Sequence, residues 1–264
     1  KAWTSSPNGV TDTVRINDTA YASKSLAISG AYTIDPNGTG SNNFTSFTAA
    51  VNAMGVGGIC GPVTFTVAAG TYTEKVTLSS VLGASSVNTI TFDGVDPTTR
   101  ILQYNETGTP SNPGVFNILN TSYVTVKNLG IKALGTSTSV GINVQGSNYC
   151  FISKNIVSVN TTSTSSYCYG IGQCGATFSS ATNAIGNRDE NNTIDGGYAG
   201  ASLYSSSAAG SYDNVFRGNV ITNVYYTGLY TYYQGNDSVM DNSVTFRTGG
   251  SSYGMFIYYS NNFH

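Results

Sequence analysis

The chain has 264 residues, only 9% of them charged and 39% hydrophobic, with a formal net charge of −2. That balance provides no basic stripe to neutralise phosphates, so nucleic acid is not an expected partner, and no run of about 18 apolar residues is present to insert into a membrane. The only histidine is His264, at the last position, which excludes Ser-His-Asp and Cys-His catalysis and multi-histidine metal sites on inventory alone; no metal or cofactor is expected.

In chain order, residues 1–30 read as an extended segment or linker and 31–264 as a single domain. Apolar and polar residues alternate in Val14-Arg15-Ile16 and Leu26-Ala27-Ile28, a pattern suited to pairing along the first coils or with the edge of another copy. Apolar groups at Phe44, Phe47, Ala50, Val51 and Met54 predict one helix, with Gly55 as its stop. Strands are predicted at Val63 to Val67, around Tyr72 to Leu78, and at Thr89 to Asp93, with a corner at Gly70. Cys60, Cys150, Cys168 and Cys174 form no CxxC, and an even count suits an oxidising compartment, with a disulfide expected within Cys150, Cys168 and Cys174.

From Gly141 onward the chain repeats. A glycine followed by small or apolar residues recurs at Gly141, Gly170, Gly200, Gly228 and Gly254, and between these glycines an Asn stands near a β-branched pair, at Asn128, Asn155, Asn192, Asn219 and Asn242. Irregular intervals of this length, holding short alternating runs without a helical period, describe stacked coils of two or three strands. Stacking buries an apolar column, and an Asn at each corner can hydrogen-bond its copy in the next coil as a ladder. The expected fold is all-β, a right-handed parallel β-helix with an N-terminal capping helix.

The runs Tyr32-Thr33-Ile34-Asp35-Pro36, Asn43 to Ala53, Gly61-Pro62-Val63-Thr64-Phe65-Thr66-Val67 and Gly70-Thr71-Tyr72-Thr73-Glu74 resemble the opening of secreted right-handed β-helix proteins of the Bacteroidota. More loosely, they are similar to the first coil of the pectin-lyase-like superfamily. The resemblance covers about residues 31 to 94. It implies an exported protein, secreted or on the outer cell surface, commonly delivered by type IX secretion. The sorting domain of such proteins is absent, so a chain truncated at its C-terminal end is expected. Thr13, Thr19 and Ser238 follow an aspartate as in the O-glycosylation sites of that group.

Function is expected from faces rather than from a catalytic motif. Aligning Gly228 with Gly254 puts Tyr230, Tyr232, Phe256 and Tyr258 on one outward face, with Leu229, Thr231 and Tyr233 on the other, and aromatic rings suit contact with sugars. Asp213 and Asp237 are the weak acidic candidates, and the charges around Arg188, Glu190 and Arg217 do not stack at equal offsets in this reading. The expected role is a non-enzymatic, adhesin-like or structural solenoid binding polysaccharide or cell-surface glycan. The alternatives are a polysaccharide lyase or glycoside hydrolase of the pectin-lyase-like superfamily and a self-assembling filament of copies of the chain.

Overall fold

The computed structural model describes residues 2–3, 19–20, 26–207, 210–250, 253–262 and 264. Its β-branched runs are too short to bury themselves alone. They wind into seven successive coils, each giving one strand to each of three parallel sheets. The first sheet runs from Ile59–Val67 to Ser238–Met240, the second from Gly70–Thr73 to Ser243–Phe246, and the third from Val76–Ser79 to Tyr253–Tyr258. The chain is a right-handed parallel β-helix, as expected. Strand Ile28–Ile34 extends the first sheet by pairing with Ile59–Val67, so the described part of the N-terminal alternating segment pairs within its own chain.

Columns of like residues fill the interior. In the second sheet Tyr72, Leu102, Ile131, Val157, Ile194, Ile221 and Val244 stand in register, and in the first sheet Phe65, Phe92, Val126, Ile152, Asp189, Phe216 and Val239 do so. Asp189 is the one charged residue type in these columns. The recurring glycines mark where the chain enters the third sheet. A Cβ at Gly200 would lie 2.5 Å from Ile221 Cγ2 and 2.6 Å from the Gly228 carbonyl oxygen, so no larger residue fits without moving the second sheet.

The helix, α1 (Phe47–Gly57), lies over the open end of the first coils with Phe47, Ala50, Val51 and Met54 buried. It begins later than its apolar spacing suggests, because Phe44 pairs in a strand with Ile34. Gly55 lies within it, and the stop is Gly58, whose φ of 72° only glycine adopts freely. Ser46 Oγ accepts from Ala49 N at 3.0 Å, and the Glu74 carboxylate accepts from Phe47 N at 3.0 Å, Thr48 N at 2.8 Å and Thr48 Oγ1 at 2.6 Å. Glu74→Ala removes both the acceptor and the negative charge at the helix start, with an expected loss of about 2 kcal/mol in thermal or urea unfolding. An unchanged midpoint would show that the end cap does not depend on this carboxylate.

Candidate functional site

Asn155, Asn192, Asn219 and Asn242 form one ladder at the corner between the first and second sheets. The Oδ1 of each later residue accepts the backbone N–H of the one before, at 2.9–3.0 Å, and also its Nδ2, at 3.0–3.1 Å. Asn128 is not a rung, because the residue in ladder register is Leu129, whose N–H reaches Asn155 Oδ1. Nor does the ladder Asn supply the left-handed backbone. The preceding position does, at Asn128, Lys154, Asn191, Gly218 and Asp241, with φ between 53° and 65°. A second ladder, absent from the sequence reading, runs between the third and first sheets through Asn187, Asn214 and Asp237.

Ladder register also fixes the charged face. Counting two residues back from each corner gives Lys127, Ser153, Glu190, Arg217 and Met240, which the strand pairing places side by side on the outside of the first sheet. The sequence reading placed these charges at unequal offsets; Glu190 and Arg217 are in fact direct neighbours. Glu190 is 3% exposed and holds two arginines, with Arg188 at 2.5 Å and Arg217 at 2.9 Å. Arg188 also lies 5.5 Å over the Phe151 ring, and Lys127 pairs with Asp93 at 3.0 Å. Lys154, at the corner just beyond Ser153, is exposed and has no carboxylate partner among the described residues. Four consecutive coils therefore carry one cation each at or beside this face, at different offsets: Lys127 and Arg217 two residues before the corner, Arg188 four before it and Lys154 one before it. Glu190 and Arg217 each stand two residues before a ladder Asn, so the signal was available in the sequence, and Lys127 joins it once Leu129, not Asn128, is taken as the corner.

Asp213 and Asp237 do not form a catalytic pair. Asp213 is exposed and accepts from Asn236 Nδ2 at 2.5 Å, whereas Asp237 is 1% exposed, stacks on Asn214 and points into the solenoid. Asp189 also faces inward, with its Oδ2 accepting from Gln173 Nε2 at 2.9 Å and its Oδ1 unpartnered. Burial pushes both inward carboxyls up to about 7.

Tyr230, Tyr232, Phe256 and Tyr258 do share one outward patch, with Leu229 and Thr231 buried behind them. Tyr233 instead sits at a turn with φ 51°, stacked on Tyr259. The patch extends to Tyr204, and its ring faces lie against one another. Centroids are 4.4 Å apart for Tyr204–Tyr232, 5.2 Å for Tyr230–Phe256 and 5.4 Å for Tyr232–Tyr258, with interplanar angles from 1° to 23°. Coils one strand spacing apart enforce that arrangement, so ring edges and hydroxyls reach solvent rather than faces.

The expected disulfide is absent. Cys150, Cys168 and Cys174 are free and buried, and burial pushes the Cys150 and Cys174 thiols up to about 12, which makes them inert. Ser238 is half-buried in the first sheet beside Val215; Thr13 and the side chain of Thr19 lie outside the described residues. Among the described residues no group of three or more His, Cys, Asp or Glu could hold a metal. Among the described residues no helix is long and apolar enough to cross a membrane.

No protein-family profile and no curated protein sequence matches the chain. Solved structures do. A rice weevil pectin methyl esterase is 12% identical over 95% of each chain, with a TM-score of 0.49. Two structures of a pectin methylesterase from Aspergillus niger are 14% and 13% identical, covering 91% and 90% of this chain and 88% and 87% of theirs, each with a TM-score of 0.39. At such identity the likeness is one of fold. The structures alike in fold are pectin methylesterases, not the non-enzymatic, adhesin-like or structural solenoids that the sequence led us to expect.

Proposed function

We propose that the chain is a polysaccharide-cleaving enzyme that works by elimination on an acidic polysaccharide laid along the outer face of the first sheet. The observation that carries this reading is the cluster of Lys127, Lys154, Arg188 and Arg217, one cation on each of four successive coils about 4.8 Å apart, at different positions along the strand and gathered around the Arg188–Glu190–Arg217 network. An acidic polymer laid across these coils meets four cations against the two carboxylates of Asp93 and Glu190, in a chain that is otherwise sparsely charged and slightly acidic.

The carboxylates decide between hydrolysis and elimination. Asp93 and Glu190 face outward three strand steps apart, about 14 Å, beyond the roughly 6.5–9.5 Å of an inverting pair; the nearer Asp189 points inward, and Asp241, about two strand steps from Glu190, lies out of register with it at the corner. Elimination requires only one base and a neutralised uronate carboxylate. Arg188 and Arg217, held in place by Glu190, take the substrate carboxylate and stabilise the negative charge that develops as the adjacent carbon loses its proton. Lys154, in its uncharged amine form, accepts that proton, the carbon–oxygen bond to the next sugar breaks, and the departing oxygen takes a proton from water. The product is an unsaturated uronate end. The resemblance of residues 31–94 to exported β-helix proteins of the Bacteroidota supports an extracellular place of work.

The test is ultraviolet absorbance of unsaturated ends during incubation with pectin, polygalacturonate and alginate, beside neutral glucans. Cleavage confined to the acidic polymers, weakened by salt and reduced at least about 100-fold in Lys154→Ala, is the expected result. Absence of unsaturated ends on every acidic polymer would overturn the reading.

A further inference from the structure

The second ladder contains one irregular rung. Asn187 Oδ1 accepts from Cys150 N and Asn214 Oδ1 accepts from Asn187 N, while their Nδ2 groups donate to the carbonyls of Ser147 at 3.0 Å and Ala184 at 3.1 Å. Each carbonyl belongs to the residue three before the ladder position of the preceding coil. Asp237 is the third rung, and its Oδ1 accepts from Asn214 N at 2.9 Å as an amide oxygen would. By the same register an asparagine NH₂ at this rung would meet the carbonyl of Ser211, which already accepts from Gly235 N at 3.0 Å, and Asp237 carries Oδ2 in place of that NH₂. That Oδ2 is buried without a hydrogen-bond partner. Two acceptors facing each other in a dry interior repel, whereas a protonated carboxyl donates into the same place as the amide it replaces.

We infer that Asp237 is a pH-sensitive latch on the last coil: protonated, it completes the ladder by donating to Ser211, and ionised, it opens the ladder and loosens the strands that follow. The groups facing it give an ionised form no support. Asn214 supplies the donors to Oδ1, Gln234 Oε1 is engaged by Ser211 Oγ at 2.7 Å, and Asp213 adds negative charge. His264 meets Asp237 through the backbone, its N–H reaching the Asp237 carbonyl at 2.8 Å. No cation pairs with it among the described residues. Burial, opposed by the Asn214 hydrogen bonds and reinforced by Asp213, leaves the carboxyl titrating near neutrality, at about 7. What the latch holds is the strand Ser238–Met240 and, beyond it, the coil bearing Phe256 and Tyr258.

Hydrogen exchange followed by mass spectrometry, corrected for the intrinsic pH dependence of amide exchange, tests this between pH 5.5 and 8.5. With Asp189→Asn present throughout to remove the other inward carboxyl that titrates over this range, protection over residues 211–246 is expected to fall at least about tenfold and to stay level once Asp237→Asn is added, with Asp213→Asn retaining a fall. Equal protection at both pH values, or an undiminished fall in Asp237→Asn, overturns the inference. Should that variant fold poorly, infrared spectroscopy of Asp189→Asn provides the second measurement. A carboxylic-acid carbonyl band present at pH 6 and lost by pH 8.5 is expected, and its absence at pH 6 overturns the latch.

Discussion

Asp189→Asn is expected to remove much of the decline in stability that the wild-type chain shows as pH rises from about 4 to 8. Asp189 occupies an interior column between Ile152 and Phe216, one carboxylate oxygen bonded to Gln173 and the other to nothing. Burial holds its proton up to about 7, against 3.8 for the free side chain, and Glu190 adds to the effect. Between those values the folded chain binds a proton that the unfolded chain has released, so stability is greatest below the lower value and drains away as pH approaches the upper one. The shift corresponds to about 4 kcal/mol. Asp237 titrates over the same range, so Asp189→Asn should recover about half of the total decline and the double variant with Asp237→Asn nearly all of it. Urea unfolding at half-unit pH steps measures this; parallel curves for wild type and single variant would refute it.

Asn192→Ala is expected to cost about 4 kcal/mol, more than any truncation on the surface. Its side chain accepts from Asn155 N at 3.0 Å and Asn155 Nδ2 at 3.1 Å, and donates to Ile152 O at 2.9 Å and Asn219 Oδ1 at 3.1 Å. All of these atoms belong to a buried stack, so deletion leaves donors and acceptors on both neighbouring coils without water or partner. Asn128→Ala serves as the comparison. Its amide meets only the half-buried Asp93, at 2.8 Å, and its loss should cost about 1 kcal/mol. Comparable midpoints for the two variants would contradict the ladder's energetic role.

The architecture was legible because a solenoid repeats its constraints. Gly141, Gly170, Gly200 and Gly228 recur where a Cβ would strike the second sheet, and the corner Asn recurs because each amide needs its copy. Register was read correctly at Gly228 and Gly254, where backbone pairing matches residue for residue. It failed at Asn128, since an Asn in the left-handed position and an Asn on the ladder look alike in sequence and differ by one residue. That slip concealed only Lys127; Ser153, Glu190 and Arg217 each stand two residues before a correctly read corner Asn, and their alignment was missed although the sequence carries it. Asp189 and Asp237 were hidden for another reason: whether a carboxyl faces solvent or the interior depends on the parity of the strand or corner, which composition does not reveal. The thiols follow the same logic, being packed into separate interior positions rather than bridged.

Because every coil advances the chain by one strand spacing, the outer face of the first sheet is a ruler graduated in that unit. Duplicating a coil would lengthen the ruler by one graduation and leave its neighbours undisturbed, whereas inserting a single residue within a strand would turn the following graduations inward. Evolution can therefore match such a surface to longer or shorter stretches of a linear polymer by copying whole turns, without redesigning any contact that holds them together.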